Sequence, residues 1–93
     1  MSEDTDHLLG LIDRRGGRVV WNRERDGRWY QAQVLVDLFD TTEIRLNWGG
    51  PRRSRGGYRS IAIDGIAESA RRTLVRQLCQ RRAWHGYVRM LDS

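Results

Sequence analysis

The chain has 93 residues, 39% of them apolar, and its 17 basic and 12 acidic residues leave a net charge of +5. That length supports one domain with a modest aromatic core and is too short to enclose a deep catalytic pocket. A single cysteine, Cys79, excludes an internal disulfide and any multi-cysteine zinc site. No apolar run reaches membrane-spanning length and the N-terminus lacks the basic-then-apolar order of a signal peptide, so a cytoplasmic protein with no membrane partner is expected.

Charge is unevenly spread. Residues 1–13 hold Glu3, Asp4, Asp6 and Asp13 and no arginine, so residues 14–93 carry all 17 arginines against eight of the 12 acids, a net +9. Such a bias concerns partners rather than fold, and nucleic acid is the commonest polyanion it meets. Every basic residue is Arg. Bidentate phosphate contacts favour that choice, and so does coding bias in a GC-rich genome.

In chain order, residues 1–17 read as an acidic polar leader with room for partial disorder, in which Leu8-Leu9-Gly10-Leu11-Ile12 forms a turn of helix or docks on the core. Arg18–Asn22 has strand character, and Glu24-Arg25-Asp26-Gly27 is a turn signal. From Trp29 onward Tyr30, Ala32, Val34, Val36 and Leu38 alternate with Gln31, Gln33 and Asp37, which predicts a long antiparallel strand with one solvated side. Asp40-Thr41-Thr42 turns the chain into another strand, where Ile44, Leu46 and Trp48 alternate with Glu43, Arg45 and Asn47. Tyr58–Ile63 is a further strand candidate. Asp64 is placed as the N-cap of a helix whose stripe runs through Ile66, Ala67, Ala70, Leu74, Val75, Leu78 and Cys79 to about Arg82. Arg71, Arg72, Arg76, Arg81 and Arg82 are read as coating its outer side, and Gly86 as the turn that lets Trp84 or Tyr87 fold back. The expected class is α+β: a small curled antiparallel sheet packed against one long C-terminal helix, with residues 18–89 as the domain.

The segment Trp48–Arg59 puts one tryptophan, four arginines and four glycines into one acid-free loop. Glycines admit close backbone approach, arginine forks suit phosphate oxygens, and a tryptophan offers a face for stacking on a base. Trp48 has two readings, stacking on a nucleotide or serving as the last inward residue of its strand.

These residues carry a resemblance. Trp29-Tyr30 opening a strand, the Leu38-Phe39 turn, Trp48-Gly49, the basic loop ending Arg55-Gly56-Gly57, the helix stripe of Ala67, Ala70, Leu74 and Leu78, and Gly86-Tyr87 follow one another as in the WGR domain, and the chain resembles its small stand-alone bacterial versions over about residues 18–89. The resemblance implies an antiparallel sheet curled around one helix and DNA binding, as in poly(ADP-ribose) polymerases, where this domain helps recognise breaks. It implies Trp48 as the stacking residue and Gly49 as the close-approach glycine. The motif's arginine position is Gly50 here, followed by Pro51, so the phosphate role moves to Arg52, Arg53 or Arg55 or is lost.

The functional expectation is a DNA-binding module using Trp48, Gly49, Arg52, Arg53, Arg55 and Arg59, with Arg71 and Arg76 from the helix, and strand ends as one target. The alternative is a protein-interaction module that docks an acidic partner, modulates a larger DNA-processing complex or forms a homodimer. The acidic leader then acts as a brake on the basic face. RNA is a weaker third option, resting on Arg55-Gly56-Gly57-Tyr58. Asp37, Asp40 and Glu43 gather at one turn and are the sole candidates for a nuclease metal. Lacking a basic catalytic partner, they leave the chain read as no enzyme, without cofactor or metal.

Overall fold

Alternation of apolar and polar side chains sets which side of each strand is buried. The computed structural model, which describes residues 3–51 and 56–90, has five antiparallel strands, and the alternation is clearest over Arg28–Val36 and Thr42–Gly49. The strands are β1 (Gly17–Arg23), β2 (Arg28–Val36), β3 (Thr42–Gly49), β4 (Gly57–Ala62) and β5 (Val88–Arg89), with helices α1 (Glu3–Arg14) and α2 (Glu68–Trp84). The sheet order is β4-β3-β2-β1-β5, a four-strand meander to which β5 returns along the far edge of β1.

The register aligns the inward residues across the sheet. Tyr30 lies opposite Trp21 and Trp48, Ala32 opposite Val19 and Leu46, and Val34 opposite Gly17 and Ile44. Both helices cover this one side: Leu8, Leu11 and Ile12 of α1 and Val75 and Cys79 of α2 join Val19, Trp21, Ala32, Val34, Ile44 and Leu46 in a single core. Gly27, at φ +70°, closes the β1–β2 turn. At the β2–β3 turn Asp37 Oδ1 accepts from the amides of Phe39 (2.8 Å) and Thr41 (2.9 Å).

Several expectations change. The acidic leader is a helix. Leu8, Leu11 and Ile12 repeat at i, i+3, i+4, and Glu3, Asp4 and Asp6 fill the first turn, where negative charge favours the macrodipole. Its first turn is engaged with Trp21 and Arg89. Asp4 accepts from Trp21 Nε1 at 3.0 Å and from Arg89 Nε at 2.7 Å, while Glu3 pairs with Arg89 at 3.4 Å. The sheet therefore carries two helices, and α2 is not the last element, because the turn at Gly86 (φ +86°) leads into β5. Asp64 does not cap α2. Its carboxylate accepts from the Thr42 amide at 2.8 Å, and α2 begins after Ala67 without a side-chain cap. Val36 ends β2 exposed, and Leu38 stands fully exposed in the turn.

Removing the Leu8 side chain leaves a cavity between α1 and the sheet, so Leu8→Ala is expected to cost about 2–5 kcal/mol in urea unfolding. Burial pushes the Cys79 thiol up to about 11 from 9.0. Above pH 9 the unfolded chain loses this proton while the folded chain keeps it, so stability falls as pH rises from 9 to 11. Urea midpoints of Cys79→Ala should lack that component of the decline.

Candidate nucleic-acid interface

The start of β2, the end of β3 and the start of β4 meet at one end of the sheet, as the register pairs Trp29 with Gly49 and Trp48 with Gly57. On the helix side this end holds an aromatic group. Tyr30 and Trp48 stack at 5.8 Å between centroids and 11° between planes. Trp21 and Tyr87 meet Tyr30 edge-on at 6.1 and 6.2 Å. Arg82, from the last turn of α2, sets its guanidinium 3.9 Å from the Tyr30 ring centroid and 5.5 Å from that of Tyr87. Cation–π attraction holds that fork over an apolar floor. Arg23 packs over Tyr87 at 4.8 Å and is fixed by Asp26 (2.9 Å) and the His85 carbonyl (2.9 Å).

Two adjoining grooves flank Arg82. The larger, about 460 Å³, lies between α2 and the β3–β4 edge, with Leu46, Ile61, Leu74 and Leu78 beneath Arg59, Arg81 and Arg82. The smaller, about 320 Å³, is lined by Arg28, Tyr30, Trp48, Gly49, Arg82 and Tyr87. No acidic side chain among the described residues lines either. Arg15, Arg23, Arg45, Arg72 and Arg89 have carboxylate partners. Among the described residues Arg28, Arg59, Arg81 and Arg82 have none. Burial raises the Tyr30 hydroxyl pKa, against the opposing pull of Arg82 and Arg59, so the phenol remains a proton donor at neutral pH. The Arg23 hydrogen bond holds the Asp26 carboxyl below its usual range.

Glycines here make room for tryptophans. A Cβ at Gly57 would stand 2.6 Å from Trp48 Cζ2, and one at Gly49 would stand 2.8 Å from Trp29 Cζ2. Trp48 thus lies across Gly57 on the helix side, and Trp29 across Gly49 on the opposite side, since neighbouring residues of a strand face opposite ways. The Gly49 position is already occupied on its Cβ side by Trp29. Trp48 is partly buried against the core and also lines the smaller groove, so it combines both of its readings' locations.

Of the residues named from the sequence, Trp48, Gly49 and Arg59 come together at this end. Arg71 lies at the other end of the sheet, beside Asp13, Thr42 and Asp64, and Arg76 is exposed on α2. Arg52, Arg53 and Arg55 fall outside the described residues. Arg28, Tyr30 and Tyr87 were not named for the site, and Arg81 and Arg82, read as coating the outer side of the helix, instead line grooves against the sheet. The signal for three arginines is parity. Arg28 shares the inward side of β2 with Tyr30, Arg59 that of β4 with Ile61, and Arg82 continues the Val75–Cys79 stripe at i+3. The carboxylates of the β2–β3 turn have local work: Asp37 holds the turn, Asp40 pairs with Arg15 at 2.6 Å, and Glu43 with Arg45 at 3.4 Å. Among the described residues no set of three His, Cys, Asp or Glu is placed to hold a metal.

Gly57→Ala should push the Trp48 ring off its strand, at a cost of about 1–3 kcal/mol, and alter the near-ultraviolet circular dichroism of the Tyr30–Trp48 pair. An unchanged spectrum would contradict the packing described. No family model, curated protein or solved structure matches the chain.

Proposed function

We propose that the chain is a non-catalytic nucleic-acid-binding module that holds DNA by its phosphates at the Trp48 end of the sheet. The observation that carries the proposal is the convergence of Arg28, Arg59, Arg81 and Arg82, without carboxylate partners among the described residues, on grooves floored by Tyr30 and Trp48. Unneutralised guanidinium groups over aromatic rings suit phosphate oxygens, with a ring edge or face left for an exposed base or sugar. Arg52, Arg53 and Arg55, named from the sequence as phosphate contacts, lie outside the described residues. The resemblance to the WGR domain points the same way, with Trp48 at a strand end. Phosphate contacts position a protein without reading bases, so weak sequence preference is expected.

A second reading rests on the opposite end. Leu38 and Phe39 are 100% and 88% exposed on a turn fixed by Asp37 and by the Arg15–Asp40 pair. A rigid apolar tip of this kind suits insertion into another protein, which makes the module a bridge between DNA and a protein partner.

The DNA proposal is tested by fluorescence anisotropy with a blunt duplex and a closed hairpin across a salt series. Neutralising about four phosphates gives a log–log salt slope of roughly −3.6. Replacing Arg59, Arg81 and Arg82 by Gln should weaken binding and flatten that slope by about 2.7. A control of equal net charge, with Arg14, Arg71 and Arg76 replaced by Gln, should change it far less. Equal losses in both variants would reduce the site to general charge attraction, and no binding by the wild type at low salt would end the proposal.

A further inference from the structure

Among the described residues no helix lies on the sheet's other side. Both helices pack on the side of Tyr30 and Trp48, and the register places a distinct set of side chains on the open side. One cross-strand row runs Val20, Gln31, Asn47, Tyr58; the next toward the loop pairs Asn22 with Trp29 and Trp29 with Gly49. Tyr58 is 71% exposed and Trp29 40% exposed. Three atoms of the Trp29 ring lie within 3.2 Å of where a Gly49 Cβ would stand, so the ring is drawn across the strand rather than projecting from it. The two aromatic residues are two strands and two residues apart, about 12 Å between Cα positions, with the Gln31 and Asn47 amides between them.

This side combines the aromatic rings of Trp29 and Tyr58 and the amides of Asn22, Gln31, Gln33 and Asn47 with a few scattered aliphatic residues, Val20, Leu35, Ala62 and Val88. Its strands carry Arg18 and Arg45 and a single carboxylate, Glu43, which Arg45 engages at 3.4 Å. A protein helix would need a continuous apolar strip, which Gln31, Gln33, Asn47 and Ser60 interrupt. Unpaired bases suit it better. Each has a face to stack on Trp29 or Tyr58 and an edge of donors and acceptors that amide groups match.

We infer that the open side of the sheet binds single-stranded DNA, with Trp29 and Tyr58 stacking on bases and Gln31 and Asn47 contacting base edges between them. The choice of DNA rests on the proposed function: Trp48 and Trp29 stand on opposite sides of the sheet at the same end, one residue apart in register. A strand leaving the helix-side grooves past Gly49 and Gly50 reaches the open side directly. The module would thus hold a duplex on one side and an unpaired strand on the other.

The test compares a labelled dT 12-mer, an rU 12-mer and a blunt hairpin duplex, using wild type, Tyr58→Ala and the Arg59/Arg81/Arg82→Gln variant. Tyr58 has no ring partner among the described residues and is 71% exposed, so Tyr58→Ala should fold normally. It is expected to weaken dT binding roughly 5- to 150-fold and leave the blunt duplex unaffected. The arginine variant should show the reverse preference. Ultraviolet crosslinking of wild type to the dT 12-mer should label peptides containing Trp29 or Tyr58, a readout that needs no Trp29 variant. Blunt-duplex binding without dT binding overturns the open-side inference and leaves the proposed function standing. Binding of dT that ignores Tyr58→Ala and crosslinks elsewhere also overturns it. Tighter binding of rU than dT replaces DNA by RNA as occupant. Failure of every probe removes both proposals.

Discussion

The burial of apolar side chains on one side of the sheet governs the rest of the molecule. A chain of 93 residues has enough apolar surface for one core layer, and here α1 and α2 share that layer against the inward residues of β1, β2 and β3. Leu8 and Val75 reach the same core from opposite ends of the sequence, and Trp21 lies fully buried between the helices and the sheet. The indole N–H of Trp21 must find an acceptor there, and Asp4 supplies it while also holding Arg89. One carboxylate in the first turn of α1 thereby fastens the helix to β1 and to the final strand. Glu3 and Asp4 are thus engaged at the β1–β5 edge of the sheet, in the same cross-strand row as Tyr30 and Trp48 but away from the arginines over β3 and β4.

The Trp48 end of the sheet is where α2 runs out. The stripe that carries Leu74, Val75, Leu78 and Cys79 into the core ends on Arg82, so a charged group arrives where the next apolar side chain would have been. Tyr30 is buried and Trp48 partly buried beside it, and Arg82 in the last turn of α2 lies over Tyr30 by cation–π contact. The result is an aromatic floor with an arginine on it where the helix ends. The glycines of β3 and β4 belong to the same packing. Trp48 needs Gly57 beneath it, and Trp29 needs Gly49 on the other side.

Most of the sheet was legible in the residues. Period-two alternation placed β2 and β3, strand-favouring composition placed β1 and β4, and Gly27 and Gly86 marked turns that need positive φ. Two elements were not. α1 was hidden because four acids and a glycine among its residues resemble a solvated tail, although Leu8, Leu11 and Ile12 carry the helical spacing. β5 has two residues, too few for a period, and its existence depends on pairing with Trp21 and Asn22 far away in sequence. For the site, composition drew the eye to the arginines between Trp48 and Tyr58 and to Arg71 and Arg76 on α2. What composition does not carry is the end of the sheet to which each arginine is brought. Parity does carry it for Arg28, Arg59 and Arg82, because an arginine in register with a buried stripe must emerge where the covering element stops. The opposite exposures of Trp29 and Tyr30, adjacent in sequence, likewise depend on both helices choosing the same side.

The central claim, that DNA is held at the Trp48 end on the helix side, is tested most directly by mapping chemical shifts in ¹⁵N-labelled protein as a blunt duplex is added. The account predicts that the Trp48 indole N–H, the Arg59, Arg81 and Arg82 side chains and the Tyr30 and Gly49 amides shift together, while the Arg71 and Asp64 end stays unchanged. Shifts centred on Arg71 and Arg76, or spread evenly over every arginine, would contradict it.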